Sequence, residues 1–272
     1  MRVDAHQHFW RYDRHQYDWI GDGMEILARD FLPRDLEPLL RANGFDSCVA
    51  VQARQDVPET DWLLDLADAN PTIKGVVGWV DLCSEQLSSQ IDQRDHPKLV
   101  GYRHILQSEP DDRYMLRPEF VQGLRCLARL GKTFDLLVFP RHLPFACQLV
   151  DQVPDLKIVI DHCAKPLIKT GESLGWMADM EIMARNPNCY CKLSGLATEG
   201  DWTNWSNTDL QPYVDAVLNV FGPDRVMFGS DWPVCLLATS YERWVDSVQS
   251  LVPSDWHDKV CGQTARAFYG LA

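Results

Sequence analysis

Short apolar runs rich in β-branched residues recur along the chain, each followed by a stretch whose apolar positions return at helical spacing. The runs centre on residues 3–6, 48–52, 76–80, 100–105, 134–139, 158–162, 190–193 and 226–230. That alternation is expected of parallel βα units. The helical stretches carry start and stop punctuation. Pro33 opens the first, its apolar face includes Leu36, Leu39 and Leu40, and Gly44 stands where a C-terminal cap belongs. Pro58 opens the second and Asn70-Pro71 closes it. Pro118 precedes a helix containing Phe120, Val121, Leu124, Leu127 and Leu130, which Gly131 ends. Residues 241–251 and 256–269 add two helices after the last run. Strict alternation of eight strands with helices predicts a closed (β/α)8 TIM barrel. The competing topology is a doubly wound sheet, but no GxGxxG follows the first run; two histidines stand at its end instead. No repeat, low-complexity tract or linker interrupts residues 1–272, which predicts one domain.

Composition narrows the partners. Hydrophobic residues make up 46% and charged residues 24%, the balance of a chain that buries a large core. The formal charge of -13 repels phosphate backbones and anionic lipid headgroups, so nucleic acid and membrane surfaces are not expected partners. No segment approaches the roughly 18 continuous apolar residues of a membrane span. Nine cysteines fall singly on strands and helices rather than in a framework, and no CxxC spacing occurs. Together with an N-terminus that runs directly into the first strand, this places the expected enzyme in the reducing cytoplasm. The expected partner is a small molecule; the pattern leaves a homo-oligomer open.

The ionisable residues cluster at the ends of the runs. Asp4-Ala5-His6-Gln7-His8 puts two imidazoles at i and i+2 of an extended segment, on one side, where they can converge on one ion or substrate. The fourth run ends Gly101-Tyr102-Arg103-His104, the sixth Ile160-Asp161-His162-Cys163, and the eighth reads Phe228-Gly229-Ser230-Asp231-Trp232-Pro233. In a barrel the ends of different strands surround one cavity, so their coincidence carries more weight than any single motif. Asp231 is the candidate general base, the bland reading being a helix cap. His162 can orient the same water or donate to a leaving oxygen, and Arg103 can clamp an oxygen with its fork. His104 and His142 are further candidates. Phe9, Trp10, Trp19, Trp202, Trp205 and Trp232 fall in loops after strands, where flat faces suit sugar rings.

These blocks resemble the amidohydrolase superfamily, and within it the branch of sugar-lactone and related lactone hydrolases. The resemblance rests on residues 4–10, 100–104, 160–166, 192–195 (Lys192-Leu193-Ser194-Gly195) and 228–233, in the family's order along nearly the whole chain. It implies a distorted (β/α)8 barrel, hydrolytic attack on a carbonyl, and Asp231 deprotonating the attacking water. It implies that His6 and His8, with Asp231, either hold one divalent cation, usually zinc, or face the scissile carbonyl as electrostatic stabilisers without a required metal. The fifth run offers no histidine ligand, and no bridging lysine for a two-metal centre is evident. The implied substrate is a sugar-acid lactone, such as one derived from fucose, rhamnose or galactose. In that reaction Arg103, His104 and His162 stabilise the oxyanion and protonate the departing hydroxyl, while Gln52, His142, Lys165, Trp10 and Trp232 contact substrate. The alternatives are a dicarboxylate lactone hydrolase, a lactone isomerase, and a non-catalytic sugar-acid binder.

Overall fold

The computed structural model describes residues 1–272. Its strands are β1 (Val3–Gln7), β2 (Ser47–Val51), β3 (Ile73–Gly78), β4 (Leu99–His104), β5 (Thr133–Leu136), β6 (Ile158–Ile160), β7 (Cys189–Leu193) and β8 (Val226–Phe228). They pair in parallel in sequence order, β1 to β8, in one eight-stranded sheet, so the doubly wound alternative is excluded by topology. The helices are α1 (Pro33–Ala42), α2 (Val57–Ala69), α3 (Leu87–Asp92), α4 (Pro118–Arg129), α5 (Leu143–Gln152), α6 (Leu174–Ala184), α7 (Asn207–Phe221), α8 (Tyr241–Leu251) and α9 (Thr264–Tyr269). None is long and apolar enough to cross a membrane.

Each helix buries the stripe that its spacing predicts. Leu36 and Leu40 of α1, and Phe120, Val121, Leu124 and Leu127 of α4, enter the large shell between helices and sheet. Full burial of such side chains contributes roughly 1.5–3 kcal/mol each. Leu130, expected within this helix, falls just beyond the end of α4 and is exposed. The expected helix over 256–269 is not continuous: a π-helical turn, Lys259–Gln263, precedes α9.

A second apolar cluster fills the barrel itself. It gathers Val3 and Ala5 of β1, Val49 and Val51 of β2, Val77, Val159 and Met227 with Phe268, Tyr269 and Leu271. The segment around α9 therefore closes the end where the strands begin, and the opposite end is left to the site. All nine cysteines are free, and Cys189 and Cys191 both face the outer shell.

The barrel is distorted at its seam. No ladder joins β8 to β1; the two meet through the bridge Gln7–Trp232 and two backbone bonds. Asp231 N–H donates to His6 O at 2.8 Å and His8 N–H to Trp232 O at 2.7 Å. The strands approach so closely that a Cβ on Gly229 would lie 2.6 Å from that of His6. The buried Asp4 carboxylate straddles the seam, accepting from Ser230 N–H at 2.9 Å and from the Tyr241 hydroxyl at 3.1 Å.

Candidate active site

The register of β1 against β2 advances three residues, Asp4 to Gln7, while its partner advances two, Cys48 to Ala50. One extra residue in a strand re-aims the side chains that follow it. Ala5 faces the barrel interior, and the bulge turns His6 and then His8 inward as well, while Gln7 points out to Cys48. Simple alternation does the same for Arg103 of β4, Asp135 of β5 and Lys192 of β7, whose neighbours along the strands belong to the outer shell.

Beyond β6 the chain makes a left-handed turn. His162, Cys163, Ala164 and Lys165 have φ of 52°, 52°, 58° and 51°. Such a conformation costs roughly 1–2 kcal/mol per L-residue, so the surroundings must hold it. They do: His162 Nδ1 is 2.8 Å from Ser194 Oγ, Trp176 Nε1–H donates to Cys163 O at 2.7 Å, and Cys163 Sγ–H points at Lys192 O. Gly195 lies against His162, where a Cβ would come within 2.7 Å of its Nδ1. Asp231, with φ 55°, completes the bend from the other side.

The result is a group of three imidazoles around one carboxylate. Asp231 Oδ1 lies 3.3 Å from His8 Nε2, 3.7 Å from His6 Nε2 and 3.8 Å from His162 Nε2, all nearly inaccessible. Burial pushes the Asp231 carboxyl up, but the imidazoles around it, His162 foremost, outweigh this and hold it well below the usual carboxylate range. Burial pushes His162 down to about 4 and His6 well below its ordinary value. At neutral pH an ionised Asp231 thus faces the neutral rings of His6 and His162, an arrangement in which the carboxylate can accept a proton.

His8, Arg103, His162 and Asp231 form the base of a cavity of about 560 Å³, and Lys165, Glu199, Arg54, Trp19 and Trp202 stand among its walls. His6 lies one layer below. The nitrogens of His6 and His8 are 3.1 Å apart, and both lie within 3.7 Å of Asp231 Oδ1. A tetrahedral ion with bonds of 2.0–2.1 Å sets its ligands about 3.3 Å apart, so these three donors fit one divalent cation. Asp161 also lies beside His6 and His162. It is tied instead to Arg103 Nη1 at 3.1 Å and Lys192 Nζ at 3.0 Å, whose charges oppose a second ion there.

Several sequence candidates stand elsewhere. His104 alternates with Arg103 and points outward, stacked on Tyr114 with Nε2 2.7 Å from Glu109, so its expected oxyanion role is corrected. His142 sits on the turn before α5, with Nε2 2.9 Å from Asp112, outside the cavity wall. Gln52 is buried and holds Arg103, its Oε1 accepting from Nη2 at 3.2 Å, rather than reaching a substrate. Trp10 and Trp232 are buried around Phe31, away from the wall, so they do not offer faces to a ligand. Lys165 does line the cavity.

What the motifs missed is the layer beneath. Lys192 is wholly buried, with Nζ 3.0 Å from His6 Nδ1, bonded to Asp135, and Asp135 in turn accepts from the Tyr269 hydroxyl at 2.9 Å. A lysine inside an apolar run was the available signal. Cys189 and Cys191 on one side put Lys192 on the other.

The amidohydrolase family model matches residues 3–271. An L-fucono-1,5-lactonase of Burkholderia multivorans is 40% identical over 100% of this chain and 96% of its own length. One from Burkholderia ambifaria is 39% identical with the same shares covered. Among solved structures, an amidohydrolase from Burkholderia multivorans with bound zinc superposes with a TM-score of 0.96, at 39% identity and with both chains fully covered.

Proposed function

This chain belongs to the amidohydrolase family, and from that premise we propose that it opens the ring of a sugar-acid lactone, L-fucono-1,5-lactone or a close 6-deoxy relative, by adding water to the carbonyl. The similarity to lactonases over the full chain supports the reaction class. The observation that carries the choice of substrate is the pairing of the cavity's cations. Arg103 is bound to Asp161, Lys165 Nζ lies 3.7 Å from Glu199 Oε1, and Arg54 lies 3.2 Å from Asp56 and 3.6 Å from Glu59. A dicarboxylate needs free cationic clamps. A neutral polyhydroxylated ring needs donors, acceptors and flat apolar faces, which Gln55, Thr198, Trp19 and Trp202 supply along the wall.

In this reading the Asp231 carboxylate takes a proton from water as the water oxygen bonds to the carbonyl carbon. Arg103 faces the developing oxyanion and stabilises it by charge and hydrogen bonding. A cation held by His6, His8 and Asp231 would supply Lewis-acid polarisation of that carbonyl. Collapse breaks the ring C–O bond, the ring oxygen takes the proton that Asp231 had accepted, and the new carboxyl group gives the second proton of the water to solvent, so the hydroxy acid leaves as its carboxylate. His162, neutral and fixed by Ser194, orients the water against Asp231.

Proton release from a panel of lactones tests this. The 6-deoxy-1,5-aldonolactone should be opened fastest, and Asp231→Asn should lower kcat by about 10² or more while leaving the circular dichroism unchanged. A preference for 2-pyrone-4,6-dicarboxylate would overturn the substrate class, and near-normal turnover of the variant would remove Asp231 as base.

A further inference from the structure

The two ring nitrogens of His6 have neighbours that make opposite demands. At Nδ1 stand a donor, Lys192 Nζ at 3.0 Å, and an acceptor, Asp161 Oδ1 at 3.3 Å. At Nε2 stand His8 Nε2 at 3.1 Å and Asp231 Oδ1 at 3.7 Å. A neutral imidazole carries one hydrogen, so Lys192 and Asp161 cannot both be satisfied by the same ring.

We propose that His6 exchanges tautomers when a divalent cation binds, Lys192 holding the cation-free form and Asp161 the cation-bound form. The inference rests on reading His6, His8 and Asp231 as a cation site. Without the ion, the Lys192 ammonium donates to Nδ1, and the hydrogen of His6 sits on Nε2, directed at His8 Nε2. His8 can accept it, because its own hydrogen is on Nδ1 and is donated to Val51 O at 2.8 Å. Lys192, His6, His8 and Val51 then form one unbroken chain of donors and acceptors. Arg103 Nη1, 3.4 Å from His6 Nε2, already donates to Asp161 Oδ2 at 3.1 Å and does not need the ring.

With the ion, both Nε2 atoms must present lone pairs. The hydrogen of His6 then resides on Nδ1 and is donated to Asp161 Oδ1. That oxygen is buried and has no aligned hydrogen-bond donor, although the Lys192 charge lies 3.0 Å away. A carboxylate behind a ligating histidine is the usual support of a metal site. One N–H bond breaks and one forms on the same ring, so its proton count is unchanged. Lys192 loses one acceptor and keeps Asp135 and Asp161. It is accordingly a positioning residue that opposes cation binding, and Asp161 is one that favours it.

The test is ¹⁵N–¹H correlation of the full chain labelled at histidine, with and without zinc, His6 being assigned by its loss in His6→Gln. The expected result is a protonated Nε2 before zinc and a protonated Nδ1 after it. A His6 ring protonated at Nδ1 before zinc, or unchanged through saturation, would overturn the exchange while leaving the cation site standing. No zinc uptake by calorimetry up to about 1 mM would remove both. In the same titration Lys192→Met should tighten the zinc Kd by about tenfold or more, and Asp161→Asn should weaken it by a similar factor. An unchanged Kd in Lys192→Met would assign that residue a purely structural part, and the wild-type spectra decide the matter should the variant fail to fold.

Discussion

His162 is buried beside Asp231 with Ser194 on its Nδ1, and burial pushes its imidazole down to about 4. In the unfolded chain the same group binds its proton near 6.5. Between those values the unfolded state takes up a proton that the native state refuses. The stabilisation is therefore complete above about pH 6.5 and is lost as pH falls towards 4, by roughly 3 kcal/mol in all. Urea midpoints measured from pH 7 to 4 should fall steeply in the wild type and distinctly less in His162→Gln; equal slopes would place the acid sensitivity elsewhere. At this scale the sequence disclosed residue types and strand ends. It could not sort neighbours such as Arg103 and His104, because which of two adjacent side chains faces the interior is decided by the closure of the sheet and not by their own chemistry.

The strand ends show where local pattern stops being informative. The sixth and eighth runs end, as strands, at Ile160 and Phe228, short of His162 and Asp231, which line the cavity. The left-handed turn at 162–165 is held by Ser194, Trp176 and Lys192, which are distant in sequence, so no local spacing announces it. The bulge in β1 was equally invisible, since His6 and His8 share a side in any extended segment. Gly195, with φ +63, is the support of this turn that can be tested alone. Gly195→Ala should destabilise by about 2–3 kcal/mol and depress activity, through strain and through contact with His162. Gly171→Ala, at φ +75 with nothing within 4 Å of a new Cβ, should carry the backbone strain alone, about 1 kcal/mol, and keep activity. Equal losses in the two would mean that the His162 contact contributes nothing.

Across the whole molecule, alternation of strand and helix was enough to read the barrel, because the repeat leaves few ways to bury eight strands between helices. The open seam was not readable, since it depends on how β8 meets β1 and not on either strand's pattern. Two backbone bonds, from the amides of Asp231 and His8, draw that seam together. Both residues are buried, so these amides should exchange with solvent only through global opening, as slowly as the central strands; protection lower by a factor of about 100 would show the seam opening by itself. The residues that clasp the shell are thus two of those that line the cavity. Two hydrogens, followed by mass or by resonance, report at once whether the container is shut and whether the chemistry inside it is assembled, and any drift in evolution that loosens the first must disturb the second.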